Sequence, residues 1–117
     1  MKKLFICYPK CSTCLKAKKF LDEHKIEYQM RDITKDIPTK EELKKWSKDI
    51  PLNKFFNTSG IMYRQLHLKD KIFLMNDLEK LEMLSGNGML IKRPILVVND
   101  KVLLGFKEEE WSNLLNK

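Results

Sequence analysis

Residues 3–24 read KLFICYPKCSTCLKAKKFLDEH, and the spacing of the apolar residues changes within this stretch. Lys3 to Tyr8 is a short apolar run closed by Pro9, which is typical of a buried strand. From Ser12 onward the apolar residues recur at steps of three and four, as they do in an amphipathic helix. The stretch therefore predicts a strand, a short turn and a helix that buries one face.

A second strand is predicted after this helix. Residues Glu27 to Ile33 alternate loosely between apolar and polar side chains, which favours a strand over a further turn of helix. A strand, a helix and a strand in this order form a right-handed β-α-β unit, so the two strands are predicted to be parallel.

The middle of the chain is predicted to be helical. Thr39 and Glu42 have the spacing of a capping box, which opens a helix. Three further helical stretches are predicted over residues 52–56, 66–75 and 77–85. Together they form a predicted helical insert over about residues 38–88.

The C-terminal part returns to strands. Ile95 to Val98 and Lys101 to Leu104 flank the dipeptide Asn99-Asp100, a two-residue hairpin signal, so these strands are predicted to pair antiparallel. Glu108 to Glu110 favour the positive end of a final helix. The order β-α-β, helical insert, β-β-α predicts an α/β fold with a mixed sheet in one domain over residues 1–117.

Composition limits the class of protein. The 117 residues include 23 Lys or Arg and 16 Asp or Glu, a net charge of +7, and 43% are hydrophobic. This hydrophobic share supports a folded core. No apolar run approaches the ~18–20 residues of a membrane span or suggests a signal peptide, so a cytoplasmic protein without membrane contact is expected. The charge favours acidic partners, but the lysines are scattered and no direct binding of nucleic acid is expected.

Three cysteines, Cys7, Cys11 and Cys14, lie within eight residues of one another. An odd, clustered set is a poor disulfide framework, so redox chemistry or a metal site is favoured. Cys11 lies at the edge of the predicted helix, where the helix N-terminus and the nearby Lys10 and Lys16 lower the pKa of a thiol. Cys11 is the predicted nucleophile, and Cys14, one turn further, is the predicted resolving thiol.

Other interpretations of the cysteines are open. Cys14 lies on the apolar helix face and could be a core residue only, which leaves Cys11 unexplained. Three cysteines and His24 are zinc ligand types, but His24 lies over two turns along the helix. The spacing also equals that of the cluster ligands of radical S-adenosylmethionine enzymes, whose large domain this chain cannot form. Cys7 is predicted to pack in the first strand.

Arg93 and Pro94 open the third predicted strand. Proline is tolerated at the first position of a strand, so an entirely structural explanation exists. In thioredoxin-like folds, however, a cis proline stands at this place beside the reactive sulfur, and Arg93 would then reach the same pocket.

The motifs together resemble the arsenate reductase family of glutaredoxin-like proteins, a group that includes the Spx redox regulators of bacteria. The resemblance covers essentially the whole chain. It rests on Tyr8 to Ala17, on Leu90 to Ile95, and on Gly105-Phe106 before the last helix. It implies a thioredoxin- or glutaredoxin-like fold with a mixed sheet.

The predicted site has catalytic and substrate-binding residues. The catalytic residues are Cys11, Cys14 and Arg93, and the substrate-binding residues are Lys10, Ser12, Thr13 and Pro94. No metal or cofactor is expected, and glutathione or thioredoxin is the candidate electron donor.

The sequence departs from the arsenate-reducing members of this family in two ways. Those members hold the oxyanion with three arginines, which pair well with such oxygens. Here only Arg93 matches, and the other two places fall on Asn57 and Gly105. Those enzymes also use one N-terminal cysteine, whereas the pair of Cys11 and Cys14 is similar to the Spx-type regulators.

These features predict a thiol–disulfide oxidoreductase that acts on a small thiol or a protein disulfide. One alternative is a redox-sensing transcriptional regulator that binds RNA polymerase, through its alpha subunit, without turnover. The other alternative is an arsenate reductase that depends on glutathione or glutaredoxin.

Overall fold

A computed structural model describes residues 3–115 of the chain. These residues form two compact units: a sheet unit, residues 3–32 and 93–115, and a helical unit, residues 33–92. The helical unit contains the whole of the insert predicted over about residues 38–88. That the chain forms one domain over residues 1–117 stays a prediction.

The sheet unit contains a four-stranded sheet in the order β2-β1-β3-β4. Its strands are β1 (Lys3–Cys7), β2 (Gln29–Asp32), β3 (Ile95–Val98) and β4 (Lys101–Leu104). β1 pairs parallel with β2 and antiparallel with β3, and β3 pairs antiparallel with β4. The predicted β-α-β unit, hairpin and mixed α/β sheet are confirmed, although β2 is shorter than predicted.

Two helices complete the sheet unit, α1 (Ser12–Glu23) and α6 (Glu108–Leu115). They share one buried cluster with the sheet: Phe5, Cys7, Cys14, Ala17, Phe20, Leu21, Leu96, Val98 and Trp111. Side chains two apart on a strand point to the same face, so Phe5 and Cys7 both lie on the face that α1 covers. Trp111 of α6 is fully buried and meets the Phe5 ring edge to face at 6.1 Å between centroids.

Two residues with left-handed backbone shape the C-terminal hairpin. Asn99, with φ 55°, starts the turn between β3 and β4, which requires positive φ and is here supplied by Asn instead of the usual Gly. Gly105 follows β4 with φ 72°. Its N–H donates to the Pro94 carbonyl at 2.8 Å, and its carbonyl accepts a hydrogen bond from Trp111 Nε1 at 3.1 Å.

The helical unit is built from short helices. They are α2 (Lys40–Trp46), α3 (Ile61–Gln65), α4 (Leu68–Lys71) and α5 (Asp77–Gly86), with single 3₁₀ turns at Leu52–Phe55, Ile72–Leu74 and Gly88–Leu90. Thr39 and Glu42 form the predicted capping box of α2. Asn76 and Glu79 form a second capping box, at the start of α5, which was not predicted. Within residues 3–115 no helix combines the length and the apolar character needed to cross a membrane.

The helical stretch predicted over residues 66–75 is confirmed over residues 68–74, where α4 is followed by the 3₁₀ turn Ile72–Leu74. His67 has a left-handed φ of 54°, which ends one helical turn and separates α3 from α4. Leu68 and Ile72 are both buried one turn apart, which is the apolar spacing of this helical stretch. Periodicity alone does not show a break in the backbone between two short helices.

Candidate active site

The turn between β1 and α1 places Cys11 at the N-terminus of the helix. The Cys11 N–H donates to the Tyr8 carbonyl at 2.9 Å, which closes a turn over Pro9 and Lys10. Cys11 is the N-cap residue: its φ of −86° and ψ of 125° are extended, and its carbonyl accepts the Leu15 N–H at 3.0 Å. An N-cap side chain lies beside the unpaired N–H groups of the first helical turn. The half-buried Cys11 thiol therefore combines access to solvent with a site that favours an anion.

Cys14 lies in the first turn of α1 and points into the core. It is 2% exposed, and its sulfur accepts a hydrogen bond from the Tyr8 N–H at 3.3 Å. The Cys11 thiol lies close enough to act on the pKa of Cys14, which it lowers. The structure thus brings the two predicted redox thiols together, one half-buried and one buried, while their catalytic roles stay a prediction.

Cys7, the last residue of β1, adds a third thiol at the same place. It is 2% exposed and packs in the core of the sheet unit, as predicted. It shares a buried cluster with Cys14, whose thiol lowers the pKa of Cys7, and this interaction was not predicted. The signal was available, because Cys7 shares a strand face with Phe5, and this is the face toward which α1 turns its apolar residues Cys14 and Ala17.

The hydrogen bond between Cys7 and Cys14 separates their ionisation. It lowers the pKa of Cys7, because Cys14 donates to the Cys7 thiolate, while burial and the charge of Asp32 oppose this effect. The same hydrogen bond raises the pKa of Cys14 well above the ordinary range of a thiol, and burial adds to the rise. Cys14 is therefore the proton donor of the reduced pair.

Arg93 lies against the same turn. Its guanidinium carbon is 5.3 Å from the centroid of the Tyr8 ring, the distance of a cation–π contact. The peptide bond between Arg93 and Pro94 is cis, as the resemblance to thioredoxin-like folds implied, and Pro94 is buried. Tyr8 thus contacts Arg93 through its ring and Cys14 through its backbone.

The other predicted substrate-binding residues lie on the outer side of the turn. Lys10 precedes the N-cap, and Ser12 and Thr13 are the first two residues of α1. All three are exposed and so can be reached by a substrate at Cys11. Their role in binding stays a prediction.

Gly105 explains one departure from the arsenate-reducing pattern. A buried residue with φ 72° and both backbone groups hydrogen-bonded suits glycine. An arginine at this place would adopt a left-handed backbone at a cost of roughly 1–2 kcal/mol. The second departure, Asn57, belongs to the helical unit, where its N–H donates to the Leu90 carbonyl at 2.7 Å.

A zinc site was the alternative use of the cysteines. In the part of the chain that the structure describes, no group of three or more His, Cys, Asp or Glu side chains is arranged to hold a metal ion. His24 instead stacks on Phe20, with ring centroids 4.2 Å apart, and its Nδ1 lies 2.8 Å from the Phe20 carbonyl oxygen.

Known proteins are similar to this chain over most of its length. A family model described as "ArsC family" matches residues 7–114. The uncharacterized protein YusI of Bacillus subtilis (strain 168) is 50% identical over 109 residues, which are 92% of each chain. The global transcriptional regulator Spx of Staphylococcus aureus (strain Mu50) is 30% identical over 109 residues, 92% of this chain and 82% of that one. A crystal structure from Bacteroides fragilis, of a protein described as ArsC family related, has a TM-score of 0.93 and 52% identity, with 97% of this chain and 98% of that chain covered.

Proposed function

The chain belongs to the ArsC family and has its thioredoxin-like α/β fold, and on that premise we propose that it is a thiol–disulfide oxidoreductase with Cys11 as nucleophile. The observation that carries the proposal is the half-buried Cys11 at the N-cap of α1, packed against the buried cluster that contains the thiol of Cys14. A reactive thiol needs access, a site that stabilises its anion, and a second thiol within reach.

In the first step the Cys11 thiolate attacks one sulfur of a disulfide substrate. A bond forms between Cys11 Sγ and that sulfur, the substrate S–S bond breaks, and the other half leaves as a thiolate. The helix N-terminus and the cations Lys10 and Arg93 favour negative charge at the entering and leaving sulfurs. Arg93 is suited to this role because the Tyr8 ring holds it at the turn.

In the second step Cys14 attacks Cys11 Sγ and releases the bound half of the substrate as a thiolate. The product is a Cys11–Cys14 disulfide, and residues one helical turn apart are within the span of such a bond. Cys14 loses its proton as it attacks, and its hydrogen bond to Cys7 gives that proton a path. A thiol donor, glutathione or thioredoxin, then returns the protein to the reduced state, in which all three cysteines are free.

A redox-sensing regulator is the second candidate function. It is supported by the similarity to the global transcriptional regulator Spx over 92% of this chain, together with the two thiols of the turn. In this case the Cys11–Cys14 disulfide would change a surface that binds the alpha subunit of RNA polymerase. Both candidate functions suit a reducing cytoplasm, where such a disulfide is transient.

Reduction of arsenate with glutathione or glutaredoxin is the less favoured third function. Cys11 and Arg93 match that chemistry, but Asn57 and Gly105 supply no cation where the arsenate-reducing members hold the oxyanion. Each missing charge-assisted hydrogen bond weakens binding by about 1.5–3 kcal/mol. Disulfide exchange requires no such clamp.

The test compares two substrates, and for each substrate it compares the wild type with two cysteine variants. A glutathionylated peptide and arsenate are each offered with the glutathione and thioredoxin systems, and NADPH consumption is followed. We expect turnover of the disulfide, its loss in Cys11→Ser, and a trapped mixed disulfide on Cys11 in Cys14→Ser. Arsenate turnover at about 1 s⁻¹ or above, abolished in Cys11→Ser, would instead favour the arsenate reductase.

If the protein is a redox-sensing regulator, a different result is expected. Binding to the isolated alpha subunit is measured by calorimetry in the reduced state and after oxidation. A change in affinity upon oxidation, together with no turnover of either substrate, would replace the oxidoreductase by the regulator.

A further inference from the structure

The three thiols form a series from the surface into the core. Cys11 is half-buried, and Cys14 and Cys7 are each 2% exposed. Cys14 and Cys7 belong to one buried cluster, and Cys11 packs against that cluster. We propose that Cys7 is a third redox thiol, which takes over the disulfide from Cys11 and Cys14 so that the oxidised protein holds a buried Cys7–Cys14 disulfide and a free Cys11. This inference rests on the proposed oxidoreductase function.

The backbone of the turn explains why the two inner sulfurs meet. β1 ends at Cys7, and the next residue, Tyr8, donates its N–H to Cys14 Sγ at 3.3 Å. The Cys14 sulfur is therefore held over the end of the strand, beside the residue that carries Cys7. The Cys7 side chain lies on the same face of the sheet as α1, in one cluster with Cys14. Two thiols of one buried cluster, one at a strand end and one on the helix packed over it, are neighbours, as formation of a disulfide requires.

The transfer is a thiol–disulfide exchange inside the protein. The Cys7 thiol, which holds the proton taken from Cys14 in the preceding step, releases it to solvent as its sulfur attacks Cys14 Sγ of the Cys11–Cys14 disulfide. The Sγ–Sγ bond between Cys7 and Cys14 forms, the bond between Cys14 and Cys11 breaks, and the electron pair leaves with Cys11 as a thiolate. No electrons are gained or lost in this step, because the disulfide substrate has already supplied the oxidation.

Two features favour transfer of the disulfide from the Cys11–Cys14 pair to the Cys7–Cys14 pair. The Cys7 sulfur packs in the same buried cluster as the Cys14 sulfur that it attacks, so the exchange is intramolecular and its partners are already in place. The leaving group, Cys11, departs to the N-terminus of α1, where the first N–H groups stabilise its negative charge. An inner disulfide also removes two ionisable groups from an apolar cluster.

A consequence of the transfer is a second reaction at Cys11. Once the disulfide is held by Cys7 and Cys14, Cys11 is again free and can attack another molecule of substrate. With excess glutathione disulfide the wild-type chain should therefore carry one internal disulfide and one glutathione. A protein that stops at the Cys11–Cys14 disulfide carries no glutathione.

Peptide mapping after trypsin distinguishes the two disulfides directly. Cleavage after Lys10 separates the peptide of Cys7 from the peptide that carries both Cys11 and Cys14. A Cys7–Cys14 disulfide therefore joins two tryptic peptides, whereas a Cys11–Cys14 disulfide lies inside one. Fragmentation of the joined pair then identifies Cys14 as the partner of Cys7.

The experiment follows the reduced full-length chain after addition of glutathione disulfide. Samples are quenched in acid, alkylated in guanidinium chloride and digested without reduction. We expect the Cys11–Cys14 disulfide to appear first and then to decline as the joined peptides accumulate, at least tenfold over the single-peptide form. The time course needs no variant, so the result does not depend on how well a variant folds.

Two variants sharpen the result. Cys7→Ala should accumulate the Cys11–Cys14 disulfide and bind no glutathione, with a far-UV spectrum like that of the wild type. Cys11→Ser should form the Cys7–Cys14 disulfide at least tenfold more slowly. Both remaining thiols are buried, and no accessible thiol is left to react first with glutathione disulfide.

Failure has two distinguishable forms. If the wild type stops at the Cys11–Cys14 disulfide and Cys7 stays fully alkylated, the role of Cys7 is overturned and the proposed oxidoreductase stands. If Cys11 forms neither a mixed disulfide nor a bond to Cys14, the proposed function and the inference are both overturned.

Discussion

Two regions of the molecule can be compared: the turn between β1 and α1, and the helical unit. They differ in how directly the order of residues along the chain determines which side chains meet. In the turn, one strand end, one N-cap and one helical turn bring Cys7, Cys11 and Cys14 together within eight residues. In the helical unit, short helices are separated by breaks such as His67, and large apolar side chains such as Phe73, 80% exposed, lie outside its core. Catalysis is therefore expected to depend on the turn, and the helical unit is expected to contribute mainly stability.

The largest expected effect tests the turn itself. Cys11→Ser should lower disulfide turnover at least about 10³-fold, because the hydroxyl that replaces the thiol is a poor nucleophile at neutral pH. Cys11 is half-buried, so the free energy of unfolding should change little. Steady-state kinetics and urea denaturation of the same samples measure both. Substantial turnover by this variant would place the chemistry elsewhere than the turn.

The next effect compares a buried residue of the sheet unit with an exposed residue of the helical unit. Trp111→Ala should lower the free energy of unfolding by about 3–5 kcal/mol, because a fully buried ring and its hydrogen bond to Gly105 are lost. Phe73→Ala should stay within about 0.5 kcal/mol of the wild type, since the ring is exposed. Equal losses in urea denaturation would show that the exposed ring is covered in solution.

A smaller effect concerns the cation at the turn. Arg93→Ala should lower disulfide turnover by a factor of roughly ten to a hundred, the equivalent of about 1.5–3 kcal/mol for one charge-assisted contact. Lys101→Ala, which removes an exposed cation from β4, serves as the matched control and should leave turnover unchanged. A decrease of the same size in both variants would mean that net charge, and not the position of Arg93, is what the substrate requires.

The smallest effect lies in the helical unit. Asn76→Ala and Thr39→Ala each remove one capping box and should each lower the free energy of unfolding by about 1 kcal/mol. Because neither residue belongs to the turn, disulfide turnover measured well below the unfolding transition should equal that of the wild type. Loss of turnover without loss of stability would contradict the division of roles between the two regions.

Local patterns were sufficient where the interactions themselves are local. The start of α1 at Ser12, the strands Ile95–Val98 and Lys101–Leu104, and the capping box of Thr39 agree with their predictions. Each is specified by neighbours in the chain: a change of apolar period, a turn dipeptide, or an acceptor three residues from its donor. The helical stretch predicted from residue 66 begins instead at Leu68, because His67 takes a left-handed backbone that apolar periodicity does not show.

The candidate site was predictable in its residue types and less so in its contacts. Cys11 and Cys14 follow from a spacing and from the start of a helix, and Arg93 followed from its place before a strand. The contact between Cys7 and Cys14 depends on which face of β1 the helix covers, and the contact between Arg93 and Tyr8 depends on two distant segments meeting. A local sequence pattern shows neither which face of a strand is covered nor which distant segments come into contact.

The sequence by itself determined the order of strands and helices, the position of Cys11 at a helix start, and the resemblance to the ArsC family. It could do so because capping, periodicity and turn signals act between residues a few positions apart. Only the tertiary structure decided that Cys14 is shared between two other thiols and that Gly105 takes the left-handed backbone beside Pro94. These features arise from the packing of α1 on β1 and from the pairing of β3 with β4, which bring together groups that the chain keeps apart.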